Sequence, residues 1–387
     1  MKKLVIFFLA IASLAIQLYS QKTKTQLVKD TFVSVDGHEM HYQTAGKGSP
    51  TVVFEAGHNS TLKDWSNIVP AVSKFTRVVS HDRLGMGGSE ESDKPRTYRQ
   101  IALELHTMLQ QAHVPPPYIL VGHSMGGAIV RAFASEYKNE TVGLVLIDPF
   151  HENVFNGMDT SVINKEMRGM DSAMKSAPST VQREFVMMRN DMTAGSPELR
   201  SFQLPDVPTA LLVAGKDRPL DWTPGLIDLY KEKFRNLSDS RLIVLNQSPH
   251  YIQSYEAPTV IEAIRRVIYP DAQVMLSKML SEKGVDAVMA EYKKMRTRYP
   301  QDLIPERILN SLGYQALDKD RAGAIKLFSL NVSLYPESSN AYDSLGEAYM
   351  VGGNKKEAIK NYEKSLALNH NNGNAKKMLI KLRDATR

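Results

Sequence analysis

The 387-residue sequence predicts an α/β domain with a mostly parallel sheet, followed by a separate all-helical domain. Three observations carry this. Short apolar runs alternate with longer helical patterns between residues 51 and 268. That alternation implies parallel strands with helices on both faces. A Gly-x-Ser-x-Gly, residues 122–126, joins one apolar run to a helical stretch. Beyond residue 271, small and aromatic residues recur at an offset of 34, which suits stacked helix pairs.

In chain order, residues 31–43 alternate in polarity around Asp36-Gly37, as a hairpin does. Strands are expected at 51–55, 76–80, 118–122, 142–147, 208–214 and 241–245. Helices are expected at 62–74, 97–112, 124–137 and 258–268. Residues 150–205 interrupt this rhythm and read as a lid, holding seven of the 18 methionines: Met158, Met167, Met170, Met174, Met187, Met188 and Met192. A Met-rich lid suits an adaptable pocket for an apolar acyl chain, and equally suits gap-filling between small helices.

Ser124 lies in Gly122-His123-Ser124-Met125-Gly126, directly after Tyr118-Ile119-Leu120-Val121. A serine on a sharp strand-to-helix turn needs small neighbours, and it meets the positive end of the helix. Such a serine also needs a base and an orienting acid, in the order Ser, acid, His. His250, in Ser248-Pro249-His250-Tyr251, follows the strand-like Leu242–Leu245 and is the expected base. His370 falls at the end of a helical repeat and is set aside. Two acids follow strands: Asp217 after 210–216 and Asp148 after 142–147. Asp217 is preferred because it comes one strand later, with Asp148 as the alternative. For the oxyanion hole, two backbone N–H groups are needed. Met125 would supply one. His58, after Gly57 in the loop Ala56-Gly57-His58-Asn59, would supply the other.

With these residues assembled, residues 31–270 resemble an α/β-hydrolase-fold serine hydrolase of the esterase, lipase and aminopeptidase-like group. The matching pieces are Asp36-Gly37, Glu55-Ala56-Gly57-His58, Asp82-Arg83-Leu84-Gly85-Met86-Gly87-Gly88-Ser89, the Gly122–Gly126 turn, Leu146-Ile147-Asp148-Pro149, Gly215-Lys216-Asp217 and Pro249-His250. Relatives often carry His-Gly where this chain has Ala56-Gly57. A haloalkane dehalogenase or epoxide hydrolase would carry Asp at the place of Ser124, which disfavours those activities.

Met1–Ser20 reads as a signal peptide: Lys2-Lys3, then an apolar run from Leu4 to Ile16, then a cleavage point near Ser20-Gln21. The run is shorter than the ~20 residues of a membrane span. A leader and no cysteine suggest an exported protein of a bacterial periplasm or cell envelope, with no disulfide, thiol nucleophile or zinc-thiolate site. The net charge of +6 is uneven: residues 272–387 hold 19 Lys and Arg against 13 Asp and Glu, while residues 21–271 hold 27 against 29. The basic residues are scattered among acids, which argues against nucleic acid as a partner.

In the C-terminal part, the 34-residue offset maps Ala324-Ile325-Lys326 onto Ala358-Ile359-Lys360 and Tyr335-Pro336 onto Asn369-His370. Ser311-Leu312-Gly313 maps onto Ser344-Leu345-Gly346 with one residue less. Gly352-Gly353-Asn354 marks the turn inside a repeat, and Tyr292 to Pro300 ends a degenerate third. This resembles tetratricopeptide repeats. It implies a surface for a protein partner or self-association, or else a stabilising appendage.

The expected organisation is therefore a signal peptide (1–20), an α/β-hydrolase catalytic domain (21–271, lid about 150–205) and a tetratricopeptide-like domain (272–387). The expected activity is hydrolysis of a small carboxylic ester through an acyl-enzyme on Ser124, with no metal or organic cofactor. Two rivals stay open. A serine aminopeptidase would use the same triad and a lid acid, Glu152, Glu166 or Glu184, to hold the substrate amine. A non-catalytic interaction protein would work through its repeats.

Overall fold

The computed structural model describes residues 29–153, 171, 174–216 and 222–384. The signal-peptide reading of residues 1–20 lies outside the described residues, as do Asp217, Glu166, Met158, Met167 and Met170. The chain divides into two compact units, with the boundary between Ile268 and Tyr269.

The first unit is built on an eight-stranded sheet: β1 (Lys29–Val35), β2 (His38–Ala45), β3 (Thr51–Glu55), β4 (Arg77–His81), β5 (Tyr118–His123), β6 (Thr141–Ile147), β7 (Thr209–Ala214) and β8 (Ser240–Leu245). Their order across the sheet is β1-β2-β4-β3-β5-β6-β7-β8. β1 and β2 form an antiparallel hairpin turned by Asp36 and Gly37, at φ 52° and 87°. Two residues at positive φ give the turn whose twist matches paired strands. β2 runs antiparallel to β4, and every pairing from β4 to β8 is parallel.

Between β3 and β4 the expected helix 62–74 is instead a 3₁₀ turn, Leu62–Trp65, and one helical turn, α1 (Val69–Val72). Pro70 explains the break, since it has no N–H to continue the ladder. The remaining helices of the unit are α2 (Tyr98–Gln111), α3 (Met125–Glu136), α4 (Ser179–Ala194), α5 (Pro197–Ser201), α6 (Trp222–Phe234), α7 (Ile252–Tyr255) and α8 (Ala257–Ile268). β3 and β5 are buried along their whole length. Alternate strand residues Leu144, Leu146, Leu211 and Val213 join the core with α2 and α3. The residues between them point the other way, toward the face on which α8 packs against β5, β6 and β7. This is the α/β-hydrolase fold, with a mostly parallel sheet between two helical layers. In the segment expected to form a lid, Met188 is buried in the main core, and Met174, Met187 and Met192 pack against it.

The second unit is helical: α9 (Ala272–Arg298, interrupted at Gly284), α10 (Arg307–Leu317), α11 (Arg321–Leu334), α12 (Ser339–Val351), α13 (Lys355–Leu368) and α14 (Gly373–Asp384). From α10 to α14, each helix packs on the next. The 34-residue spacing has a physical basis in caps and close contacts. Asp320 caps α11 and Asn354 caps α13, each through its side chain. The Ser338 hydroxyl accepts from Ala341 N, and the Asn372 side chain accepts from Ala375 N. Ala324 and Ala358 are both fully buried. A Cβ on Gly313 would come 2.5 Å from the Phe328 ring, and one on Gly346 3.0 Å from the Tyr362 ring. Each glycine thus admits an aromatic side chain from the following helix.

Candidate active site

Ser124 sits at the turn between β5 and α3 with φ 54° and ψ −120°. An L-residue held there is strained, and the surroundings must enforce it. They do so from three sides. Ser124 N donates to Ile147 O of β6, and Ser124 O accepts from Gly127 N and Phe150 N. A Cβ on Gly126 would run into the Glu55 and Ala56 carbonyls, and one on Gly122 would lie 2.5 Å from Gly126 O. The glycines are therefore required by close backbone approach. Met125 is the first residue of α3, where the N–H points out of the helix unpaired and attracts negative charge.

His250 lies in the loop after β8 and is partly exposed. Its Nδ1 is 2.5 Å from Asp148 Oδ2, whose side chain is fully buried. Asp148 ends β6 at φ 42°. Its backbone N donates to Leu212 O, and its Oδ1 accepts from Ala214 N of β7. The carboxylate is thus anchored by one strand and aimed by its neighbour. Asp217, the preferred acid by sequence, falls outside the described residues. Among the described residues, the carboxylate that meets His250 is the alternative, Asp148. Both aspartates follow adjacent parallel strands, so local sequence cannot separate them.

His123 lies beneath this pair. It is buried, and its Nε2 donates to His250 O at 3.0 Å, with ring centroids 4.6 Å apart. This bond ties the His250 backbone to the residue preceding Ser124. Burial, with the facing His250, depresses the His123 pKa to about 3. It is therefore neutral at physiological pH. Sequence reasoning passed over His123. Its place beside the serine was visible, but its partner 127 residues later was not.

The loop Ala56-Gly57-His58 abuts the elbow: a Cβ on Gly57 would lie 3.4 Å from Ser124 Cβ. The His58 ring donates through Nε2 to Val181 O of α4 and lies against Phe185. Burial lowers its pKa. Behind the loop stands a buried ionic cluster. Arg83 reaches Glu55 at 2.5 Å and Glu184 at 3.3 Å, and Arg96 reaches Glu184 at 2.9 Å and Glu104 at 2.8 Å. His81 lies 3.1 Å from the other Glu55 oxygen. Burial opposes ionisation of Glu55, but His81 and Arg83 hold its carboxyl below the usual range. Glu152 is also paired, with Arg131 at 3.0 Å and with Lys233. Among the described residues no group of three or more His, Asp or Glu side chains could hold a metal. No described helix is long and apolar enough to cross a membrane.

Residues 50–173 match a family profile described as alpha/beta hydrolase fold. Among curated proteins, the chain is 35% identical over 117 residues to the uncharacterised protein YqjL of Bacillus subtilis (strain 168), covering 30% of this chain and 46% of that protein. It is 31% identical over 128 residues to the 2-hydroxy-6-oxo-6-(2'-aminophenyl)hexa-2,4-dienoic acid hydrolase of Metapseudomonas resinovorans, covering 32% and 44%. The chain thus spans less than half the length of these relatives. Among solved structures, the epoxide hydrolase CorEH is similar at 15% identity and a TM-score of 0.44, over 63% of this chain and 99% of that one.

Proposed function

We propose that this chain is a serine hydrolase that cleaves a carboxylic ester through an acyl-enzyme on Ser124. The observation that carries the reading is the Asp148–His250 pair beside a strained serine elbow. Asp148 occupies Nδ1 of His250, which directs Nε2 to the serine proton. Ser124 Oγ attacks the ester carbonyl as His250 Nε2 takes the hydroxyl proton. The N–H groups of Met125 and His58 stabilise the oxyanion. The tetrahedral centre collapses, and the alcohol leaves with the proton from His250. Water then gives its proton to His250 and attacks the acyl-enzyme, releasing the acid and restoring Ser124. Ser124 in place of an aspartate favours this chemistry over that of an epoxide hydrolase.

The aminopeptidase reading loses support from the ion pairs. Glu184 is neutralised by Arg83 and Arg96, and Glu152 by Arg131 and Lys233, so neither of these two offers a free carboxylate to a substrate amine, while Glu166 lies outside the described residues. The leader of residues 1–20 supports export to a bacterial envelope, which N-terminal sequencing of the mature protein tests. The matched caps and glycine–aromatic contacts of the second unit support a tetratricopeptide-like repeat that takes a protein partner or a second copy.

The test of the activity is labelling with a fluorophosphonate and turnover of short p-nitrophenyl esters. The wild-type protein is expected to do both, and Ser124→Ala and His250→Ala neither, with circular dichroism unchanged. A wild-type protein that is inert to both probes sinks the reading.

A further inference from the structure

The sequence places Arg83 in the run Asp82-Arg83-Leu84-Gly85, directly after β4. It is among the largest fully buried side chains of the protein. A buried guanidinium needs partners for its donors. Two of them are carboxylates, Glu55 and Glu184. The other two are backbone carbonyls of the loop that abuts the elbow. Nη1 donates to Ala56 O at 2.6 Å and Nη2 to Gly57 O at 2.7 Å.

The Gly57 carbonyl belongs to the same peptide unit as the His58 N–H. In a trans peptide the two point in opposite directions. A cation on the carbonyl therefore leaves the N–H on the far edge and draws electron density away from it, strengthening it as a donor. Ser60 N also donates to Gly57 O, at 3.3 Å, with the same polarity. Among the described residues no backbone carbonyl takes up the His58 N–H. The guanidinium is itself locked. Glu184, its partner on α4, is also held by Arg96, and Arg96 by Glu104. The His58 ring is fastened to the same helix at Val181 O. Both sides of the Gly57–His58 unit are thus fixed with reference to α4.

We propose that Arg83 is a positioning residue of the oxyanion hole: its guanidinium orients and polarises the Gly57–His58 peptide, and Glu184 couples that peptide to the lid helix α4. The inference rests on the serine-hydrolase reading and adds to it. A donor polarised in this way acts on the developing oxyanion and not on the neutral ester, so the effect belongs in kcat and not in KM.

The test uses the full-length protein with Arg83→Gln and Arg83→Lys. Lysine keeps the charge that faces Glu55 and Glu184, but its single ammonium lacks the fork that spans both carbonyls. Loss of a whole oxyanion donor costs on the order of 10²–10³ in kcat. Arg83→Gln is expected to lose about 10²-fold in kcat with KM changed by less than about 3-fold, and Arg83→Lys about 10-fold. The affinity for phenylboronic acid, whose adduct with serine places an oxygen in the hole, should fall by the same factors. An active wild type whose variants keep kcat overturns the proposal. So does a fall in kcat without a fall in boronate affinity, which marks a general structural defect. Failure of both variants to fold assigns Arg83 to stability alone and also overturns it. An inert wild type sinks the hydrolase reading, and this inference with it, before any variant is compared.

Discussion

His250 Nδ1 meets Asp148 Oδ2 at 2.5 Å, at the end of the strand next to the one that carries Ser124. The pair makes a direct prediction about the acid. Asp148→Asn is expected to cost on the order of 10³–10⁴ in kcat on a p-nitrophenyl ester, because an amide favours the wrong imidazole tautomer. Asp217→Asn is expected to change kcat by less than about 5-fold, on the same principle, if Asp148 alone orients the ring. Steady-state kinetics of the two variants decide it, and the reverse ranking would return the acid to the later strand.

The buried His123 should make the first unit acid-sensitive. Its pKa is 6.5 when unfolded and about 3 when folded. The unfolded chain therefore binds one more proton than the native state between those values. Stability from this group is complete above pH 6.5 and is lost as pH falls toward 3. The slope is at most about 1.4 kcal/mol per pH unit. Urea unfolding at pH 7.5 and pH 5 should show the loss, and His123→Gln should flatten it. His41 acts in the opposite sense. Burial lowers its pKa, but the hydrogen bonds to Asp82 and Asp30 outweigh that and raise it. Its contribution is present below the unfolded value and is lost as pH rises through the folded one.

Each unit has its own apolar core, one around β5 and α3 and another around Val288, Tyr292, Leu312 and Phe328. A protein ending at Pro270 keeps α8 on the sheet together with Ser124, Asp148 and His250. It is expected to fold by circular dichroism and to hydrolyse short esters with kcat near that of the full chain. An unfolded truncation, or a folded one without turnover, would refute this independence.

The repeat geometry predicts an order of mutational damage. Gly313 leaves a Cβ 2.5 Å from Phe328, whereas Gly346 leaves 3.0 Å to Tyr362. Overpacking of this kind typically costs about 1–3 kcal/mol. Gly313→Val should lower the thermal transition of the helical unit more than Gly346→Val. Neither should alter ester turnover. Differential scanning calorimetry with parallel kinetics checks both statements.

Much of the fold was legible because its signals are local. The strands expected at 51–55 and 118–122 centre on the apolar runs Val52–Phe54 and Tyr118–Val121, buried at every residue, and no amphipathic helix reads that way. α6 (Trp222–Phe234) was missed. Pro224 and Gly225 at its start look like a loop, although proline is tolerated in a first helical turn. The 3₁₀ break after Trp65 was missed for the converse reason, because its apolar pattern continues across a proline.

Features that a few residues impose on their own backbone, or that recur at a fixed spacing, can be read from the chain alone. The Asp36-Gly37 turn is one case. The Gly122–Gly126 elbow is another, where small residues permit the strained φ of Ser124, and the 34-residue recurrence of small and aromatic residues is a third. The pairings between distant residues emerge only once the chain is folded. Asp148 meets His250, His123 holds the His250 backbone, and Arg83 joins the Gly57 carbonyl to Glu184. These partners lie 26 to 127 residues apart. Parallel strands end side by side whatever loops separate them, so sequence narrows the candidates at each strand end. The register and twist of the sheet choose among them.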